Sequence, residues 1–405
     1  MTIDTQSEST SPTAKASSWD QYVDLLRPAG ALVDTIPGPP SEQIRADLYR
    51  QFAMSLSQGY FLHFQSDPMH PEWSPCWNSV FLSQPNPDDV YYYAPIEGSG
   101  VYRVVGERGT SPIVTFTVGK YMFGLAGDPV PNFKDVELDD LLLDKDGNFE
   151  IVFSQERPAD YSGNWIHLNP ESKYILVRQR SYDWGHEKDV RLAIERLNAP
   201  ALKAHMTIDE IDANLRELFG NYVKRLSTVS LRFVDRTKNN RYVNKFTVET
   251  FHDEGAGNEW PQVYWMCIYD FADDEALILE TELPKVHKYW NIQVSDALFN
   301  QVEMVYRQSS LNGHQARIDA DGKFRAVVSV ADPGIANWLD TGGNRYGMLI
   351  GRWYKCDSYP VPQLTKIKLA HLGARLPAST PQISSKEREE ALRVRRVGAQ
   401  LRRRW

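Results

Sequence analysis

The chain has 405 residues and a mass of 46.4 kDa, enough for two domains or three, and its 42% hydrophobic and 24% charged residues exclude disorder or a collagen-like structure for its bulk. The formal charge of −8 is uneven: the last 20 residues hold eight Lys/Arg against three Glu, a tail of +5 on a body of −13, and an acidic body argues against a nucleic-acid groove. No run of about 18 apolar residues predicts a membrane span, and the Ser/Thr-rich stretch 1–18 lacks the apolar segment of a secretory signal and reads as a disordered tail.

In chain order, Ser41 caps a helix whose apolar stripe is Ile44, Leu48, Phe52 and Leu56, with Gly59 placed to end it. Asn86-Pro87-Asp88-Asp89 is a turn. In the following Tyr91-Tyr92-Tyr93, a strand puts Tyr91 and Tyr93 on one face, able to stack on a planar ligand, and Tyr92 on the other. Val101–Val105, Ile113–Val118 and Tyr289–Val294 are β-branched and aromatic runs of strand length. Segment 187–197 has helix-like charges, but its alternating Val190, Leu192 and Ile194 predict a strand. Thr207-x-x-Glu210 is a capping box before a helix with Ile208, Ile211, Leu215, Leu218, Phe219 and Tyr222 on one face, and Ser384-x-x-Glu387 starts a last helix.

A tandem repeat organises these elements. Asp144-Lys145-Asp146-Gly147-Asn148-Phe149 recurs as Asp319-Ala320-Asp321-Gly322-Lys323-Phe324, an offset of 175 (319 − 144). Asn164-Trp165-Ile166 matches Asn337-Trp338-Leu339 and Val90-Tyr91-Tyr92 matches Val263-Tyr264-Trp265, both at 173; Tyr174, Leu176 and Arg180 match Tyr346, Met348 and Arg352 at 172. Leu192, Ile194 and Leu197 align with Ile367, Leu369 and Leu372 at 175. Gly147 and Gly322 supply the positive φ of a hairpin turn; a calcium loop would need oxygen ligands that do not follow. The expected fold is mainly β with accessory helices, two tandem antiparallel β-sandwich or jelly-roll-like domains. The expected spans are a tail at 1–18, helices at 19–60, a first sandwich at 61–200, a connecting helix at 201–227, a second sandwich at 228–376 and a basic helix or tail at 377–405. No Gly-x-Gly-x-x-Gly follows a strand, so a Rossmann fold is excluded.

Ser310-Leu311-Asn312-Gly313-His314-Gln315, Asp332-Pro333-Gly334, Asn337-Trp338-Leu339-Asp340-Thr341 and Arg352-Trp353 resemble a widespread bacterial domain of unknown function, number twelve-fourteen in its series. Trp19, Ala29-Gly30, Asn86-Pro87-Asp88-Asp89 with Tyr91, and Tyr182-Asp183-Trp184 extend the resemblance to about residues 19–375. It implies a tandem jelly-roll-like fold and self-association, and no agreed chemistry.

Candidate chemistry is sparse. There is no Gly-x-Ser-x-Gly elbow, no His-Glu-x-x-His and no CxxC; Cys76, Cys267 and Cys356 read as reduced thiols of a cytoplasmic protein. His314, after a turn and before a strand, suits proton transfer. Asp183, beside Trp184 and near His186, is a carboxylate whose pKa a partly buried site would raise. Asp340 stands where the first copy has His167, an asymmetry of the kind function leaves. Asp183, His314 and Asp340 are therefore the expected catalytic residues, and Tyr91, Tyr93, Trp184, His186, Asn312 and Arg352 the expected substrate contacts, with no metal and no cofactor. Trp73, Trp77, Trp184 and Trp260, which have no partner in the repeat, are the aromatics expected around a ligand. The expected function is acid–base catalysis on a hydrophobic or cyclic small molecule in a cleft between the sandwiches. The alternatives are a homo-oligomeric assembly protein or a ligand- or carbohydrate-binding protein. The basic tail is either solvated or docked on the acidic body of a neighbouring subunit; neither a nucleic acid nor a membrane is an expected partner.

Overall fold

The structure, a computed structural model, describes residues 17–78, 80–122, 124–126, 130–250 and 261–402. Helices α1 (Trp19–Leu26) and α2 (Glu42–His63) come first. Strands β1 (Ser74–Cys76), β2 (Asp89–Pro95), β3 (Tyr102–Glu107), β4 (Ile113–Gly119), β5 (Lys134–Glu137), β6 (Asn148–Ser154), β7 (Asn164–His167), β8 (Tyr174–Arg180) and β9 (Arg191–Arg196) follow. Helix α3 (Ile208–Arg216) passes through one π-helical turn into α4 (Val223–Asn239). The second set is β10 (Thr247–Thr250), β11 (Gln262–Asp270), β12 (Glu275–Thr281), β13 (His287–Ser295), β14 (Ser310–Asn312), β15 (Phe324–Ser329), β16 (Trp338–Asp340), β17 (Tyr346–Cys356) and β18 (Gln363–Lys368), before helix α5 (Ser385–Leu401).

Both sets build the same sandwich. A five-stranded sheet, β1-β2-β8-β4-β5, packs on a four-stranded sheet, β7-β6-β3-β9; the second copy repeats this as β10-β11-β17-β13-β14 on β16-β15-β12-β18. The pairing is antiparallel except for one parallel pair per copy, β6–β7 and β15–β16. Between the sheets lie Tyr92, Tyr102, Phe116, Phe153 and Val177 in the first copy, and Trp265, Trp290, Phe324 and Trp353 in the second. The outward faces of the five-stranded sheets are buried too. The first packs Tyr91, Tyr93 and Leu176 against Leu218, Tyr222 and Leu226 of the helical segment, and the second packs Met266, Ile268 and Ile350 against Val234. This double coverage is why three successive tyrosines, 91 to 93, are all buried.

The Asp-x-Asp-Gly turns are superposable in bonding. Gly147 and Gly322 both have φ 82, and their amides donate to the Asp144 and Asp319 carbonyls at 3.1 and 2.9 Å. They are not hairpins, because the strands on either side belong to different sheets: each turn carries the chain across the sandwich, β5 to β6 and β14 to β15. Asn164 and Asn337 hold these crossings: each Nδ2 donates to two backbone carbonyls, Leu142 and Glu150 for Asn164, Arg317 and Arg325 for Asn337. The Asn-Trp motif is thus structural in both copies.

Three further expectations need correction. Gly59 does not end α2; it lies within it, buried where α2 crosses the connecting helix, and a Cβ there would sit 2.1 Å from Leu218 Cδ1. The connecting helix continues to Asn239, beyond the expected 201–227, because Val223, Leu226, Leu231 and Val234 continue its buried face. Segment 191–196 is a strand, but Leu369 and Leu372, aligned with Ile194 and Leu197, fall in a 3-10 turn at Leu369–Ala374, so that stretch of the repeat drifts in register.

Three arginines of the basic tail bind their own chain. Arg388, Arg395 and Arg402 recur every seven residues and form one buried stripe on and just beyond α5. Arg388 reaches Asp332 at 2.9 Å and Arg395 the Met304 carbonyl at 2.6 Å, both in the second copy; Arg402 reaches the Asp88 carbonyl at 2.7 Å and Asp189 at 3.2 Å in the first. Arg403 and Arg404 lie outside the described residues. Among the described residues, no helix is long and apolar enough to cross a membrane.

Candidate functional site

The outward faces of the two five-stranded sheets meet across the domain boundary, where their edge residues form a buried polar seam. Asp89 and Arg180, neighbours on β2 and β8, form a two-pronged ion pair at 2.6 and 2.8 Å. Arg180 also donates to Gln262 of the second copy at 3.0 Å and lies over the Tyr289 ring, 4.3 Å from its centre. Asp88 accepts from Tyr289 at 2.6 Å, Asn312 at 2.6 Å, Trp184 at 2.8 Å and Asn291 at 3.3 Å. Glu137 binds Lys288, Lys355 and Tyr354 from the opposite copy. Burial pushes the Asp88 carboxyl up; Asp89 is subject to the same burial, but Arg180 beside it holds it below the usual carboxylate range. Fully bonded buried groups of this kind fix one orientation of the two sandwiches.

Beside the seam, where the sheets diverge toward α4, lies a cavity of about 200 Å³. The first sheet contributes Tyr91, Tyr174, Leu176 and Arg178, and the second Tyr264, Met266, Ile350 and Arg352. These are repeat mates: the cross-strand pair Tyr91–Arg178 corresponds to Tyr264–Arg352, and Leu176 corresponds to Ile350. Val229 and Phe233 of α4, Phe299, and the loop residues Trp77, Gln84 and Pro85 complete much of the wall, with Tyr121 and Met122 from the loop after β4. Burial pushes the Tyr91 and Tyr174 hydroxyls well above their ordinary value, so they remain protonated donors.

The two arginines differ in their surroundings. Arg178 bonds the Thr117 hydroxyl and has Asp135 at 3.9 Å. Arg352 is 2% exposed and donates only to neutral oxygens: Gln293 Oε1 at 2.6 Å, Gln84 Oε1 at 2.6 Å, Asn291 Oδ1 at 3.4 Å and the Gln84 carbonyl at 3.4 Å. No carboxylate among the described residues pairs with it within 4.0 Å. A buried guanidinium with no carboxylate in direct contact, in the wall of an aromatic cavity, is a ready receptor for an anion.

Of the residues expected from sequence, Tyr91 and Arg352 line this cavity. Tyr93 lies on the same face as Tyr91 but is taken up by packing, its ring centre 6.0 Å from that of Tyr174. Asn312 and Trp184 are seam residues bound to Asp88; Trp184 also packs against Ala399 of α5 and beneath Arg395, 4.6 Å from the ring centre. Asp183 and His314 do meet: His186 Nδ1 is 2.8 Å and His314 Nε2 3.8 Å from Asp183, but His186 and His314 have side chains 86% and 55% exposed. The Asp183 pKa is lowered, against expectation. Burial is the largest single influence and acts upward, but the bonds from His186 and the Gly185 amide, with the charges of His314 and His186, outweigh it. Asp340 stands apart from this pair, capping the Gly342 amide at 2.8 Å and binding Arg307 at 2.9 Å. The expected catalytic trio is not assembled. Of the unpaired tryptophans, Trp77 lines the cavity, Trp73 packs on the first core, and Trp260 lies outside the described residues.

Arg178 and Tyr264 went unchosen in the sequence: 173 added to Tyr91 gives Tyr264, but the offset of 172 matched Arg352 to Arg180, and the strand registers shift that match by two residues, to Arg178. Gln84, Phe233 and Phe299 come from loops and a helix with no local mark of a site.

A family model described as a protein of unknown function, DUF1214, matches residues 95–183 and 272–358. The chain is similar to an uncharacterised protein from Burkholderia cenocepacia of known crystal structure, with 26% identity, 87% of this chain and 97% of that one covered, and a TM-score of 0.77. A Vibrio parahaemolyticus protein of known structure aligns at 10% identity over 82% of this chain and 99% of its own, with a TM-score of 0.45. No curated protein matches the chain.

Proposed function

This chain belongs to the DUF1214 family and carries the domain twice, and from the cavity between the two copies we propose that it binds a small molecule with a cyclic, largely apolar body and one anionic group. The observation that carries this reading is Arg352, buried in an aromatic wall with only neutral oxygens around it. Taking an ionised group out of water is costly unless it is paired; a ligand carboxylate would supply the pair and a charge-assisted hydrogen bond. Tyr91, Tyr264, Trp77 and Phe233 offer ring faces and edges for a planar body. The volume suits a single-ring ligand, since an apolar cavity of about 150 Å³ already admits benzene.

Calorimetric titration with benzoate, and with benzyl alcohol as its uncharged counterpart, tests this. Benzoate is expected to bind more tightly, and Arg352→Gln to abolish the difference; equal binding of the two compounds refutes the reading. Acid–base catalysis on the same class of molecule is a second reading, favoured by Asp183 bonded to His186 with His314 close by. It predicts that Asp183→Asn and His314→Ala each abolish turnover of a ligand found by the first test; turnover that survives both refutes it.

A further inference from the structure

The loop between β1 and β2 supplies the one part of the Arg352 shell with no other anchorage. Gln293 Nε2 donates to the Pro85 carbonyl at 3.2 Å, and Asn291 Nδ2 to Asn86 at 2.9 Å and Asp88 at 3.3 Å; both residues are locked on β13. Gln84 differs: its hydrogen bonds, from the side-chain and backbone oxygens, go to Arg352 alone. Its backbone lies in the left-handed region at φ 48, as do Trp77 (48), Phe81 (57) and Ser83 (60), which makes four of the eight non-glycine residues with positive φ among the described residues. A non-glycine residue there is strained, and strain concentrated in a short segment marks ligand clamps and switches. The Ser83 hydroxyl, next to Gln84, is buried with no hydrogen-bond partner.

We infer that the Gln84 side chain is a removable cap on Arg352, its amide oxygen occupying the place of a ligand carboxylate oxygen and leaving when the anion arrives. This rests on the proposed anion-binding role of Arg352. The exchange replaces a neutral acceptor by a charged one on the same guanidinium nitrogen, which is favourable, and it frees Gln84 alone, since Phe81, Ser83 and Pro85 stay bound to Gln301, Asn300 and Gln293 of the second copy. Gln84 then sets the affinity threshold of the cavity: neutral ligands gain too little at Arg352 to displace it, and carboxylates displace it.

The test is benzoate titration of the full chain by calorimetry, with thermal unfolding of each variant. Gln84→Ala is expected to bind benzoate about tenfold more tightly, since a ligand no longer competes with the side-chain bond. Gln84→Glu, which supplies a carboxylate in place, is expected to raise the unfolding temperature and weaken benzoate binding more than about 100-fold. Weaker binding by Gln84→Ala would make Gln84 a ligand contact and overturn the cap, as would wild-type affinity in Gln84→Glu. If wild-type protein binds benzoate no better than benzyl alcohol, or Arg352→Gln binds it equally well, the anion site itself falls and the cap with it. Binding that depends on Arg352 but weakens in Gln84→Ala overturns the cap alone.

Discussion

The two copies share a core and differ where they face each other. Inside each sandwich, repeat mates keep their job: Phe149 and Phe324 fill the cores, Asn164 and Asn337 hold the crossings, and Gly147 and Gly322 turn the chain with the same φ. On the outward faces the mates have diverged. The ion pair Asp89–Arg180 of the first copy corresponds in register to Gln262–Tyr354 of the second, and these mates contact one another across the seam. Arg178 and Arg352 kept their identity, but the first has Asp135 nearby and the second only amides. Duplication fixed what each sandwich needs for itself and freed the shared surface to become complementary, leaving one guanidinium without a carboxylate in direct contact.

The largest expected effect tests that complementarity. Asp89→Asn leaves Arg180 charged and buried without its partner and should cost about 3–5 kcal/mol in denaturant unfolding, whereas Gln262→Leu in the second copy removes one hydrogen bond to Arg180 and should cost about 1–3 kcal/mol. Equal losses would mean that the copies contribute alike to the seam. Next, Arg352→Gln should weaken benzoate binding by about 1.5–3 kcal/mol, the worth of a hydrogen bond to a charged group, while Arg178→Gln changes it far less; a larger loss at Arg178 would reverse the assignment of the anion site. The glycine turns should show the copies at their most alike: Gly147→Ala and Gly322→Ala each put a Cβ at φ 82, cost about 1–2 kcal/mol, and should agree within about 0.5 kcal/mol. The smallest effect is expected at Asp183, a partly exposed pair with His186. Asp183→Asn should cost less than about 1 kcal/mol and leave benzoate binding unchanged. Because the folded-state pKa of Asp183 is depressed, its contribution is present above the ordinary aspartate value of 3.8 and is lost as pH falls through the lowered folded value. The stability gap between wild type and Asp183→Asn should therefore close in acid; a gap that widens there contradicts the lowered pKa.

Much of this fold is legible along the chain because it is local or repeated. The caps at Ser41, Thr207 and Ser384 bond as their spacing predicts, and the tandem offset exposes two sandwiches without reference to either core. The failures share a cause. Gly59 reads as a helix end because its neighbour Leu218 is far along the chain. Arg388, Arg395 and Arg402 read as solvated charge or as a dock for a neighbouring subunit because the carbonyls and carboxylates they reach come from both copies of the same chain. The site was half legible: Tyr91 and Arg352 carry aromatic and charged character on strands, while Gln84 and Phe299 are ordinary loop residues until the second copy is set against the first. Asp183 and His314 looked catalytic for sound chemical reasons and do come together, but outside the cavity wall.

The shared strand order also poses a hazard during folding. The chain presents β8 and β17 as near-equivalent partners for β2, so a strand of one copy could add to the sheet of the other, a known route to misfolding in tandem domains. The registers above make such an exchange costly: β2 paired with β17 would set Asp89 opposite Tyr354, and β11 paired with β8 would set Gln262 opposite Arg180. Each mispairing strands a charge that the native arrangement satisfies. The same divergence that joins the finished domains thus tells each strand, while the chain is still folding, which copy it belongs to.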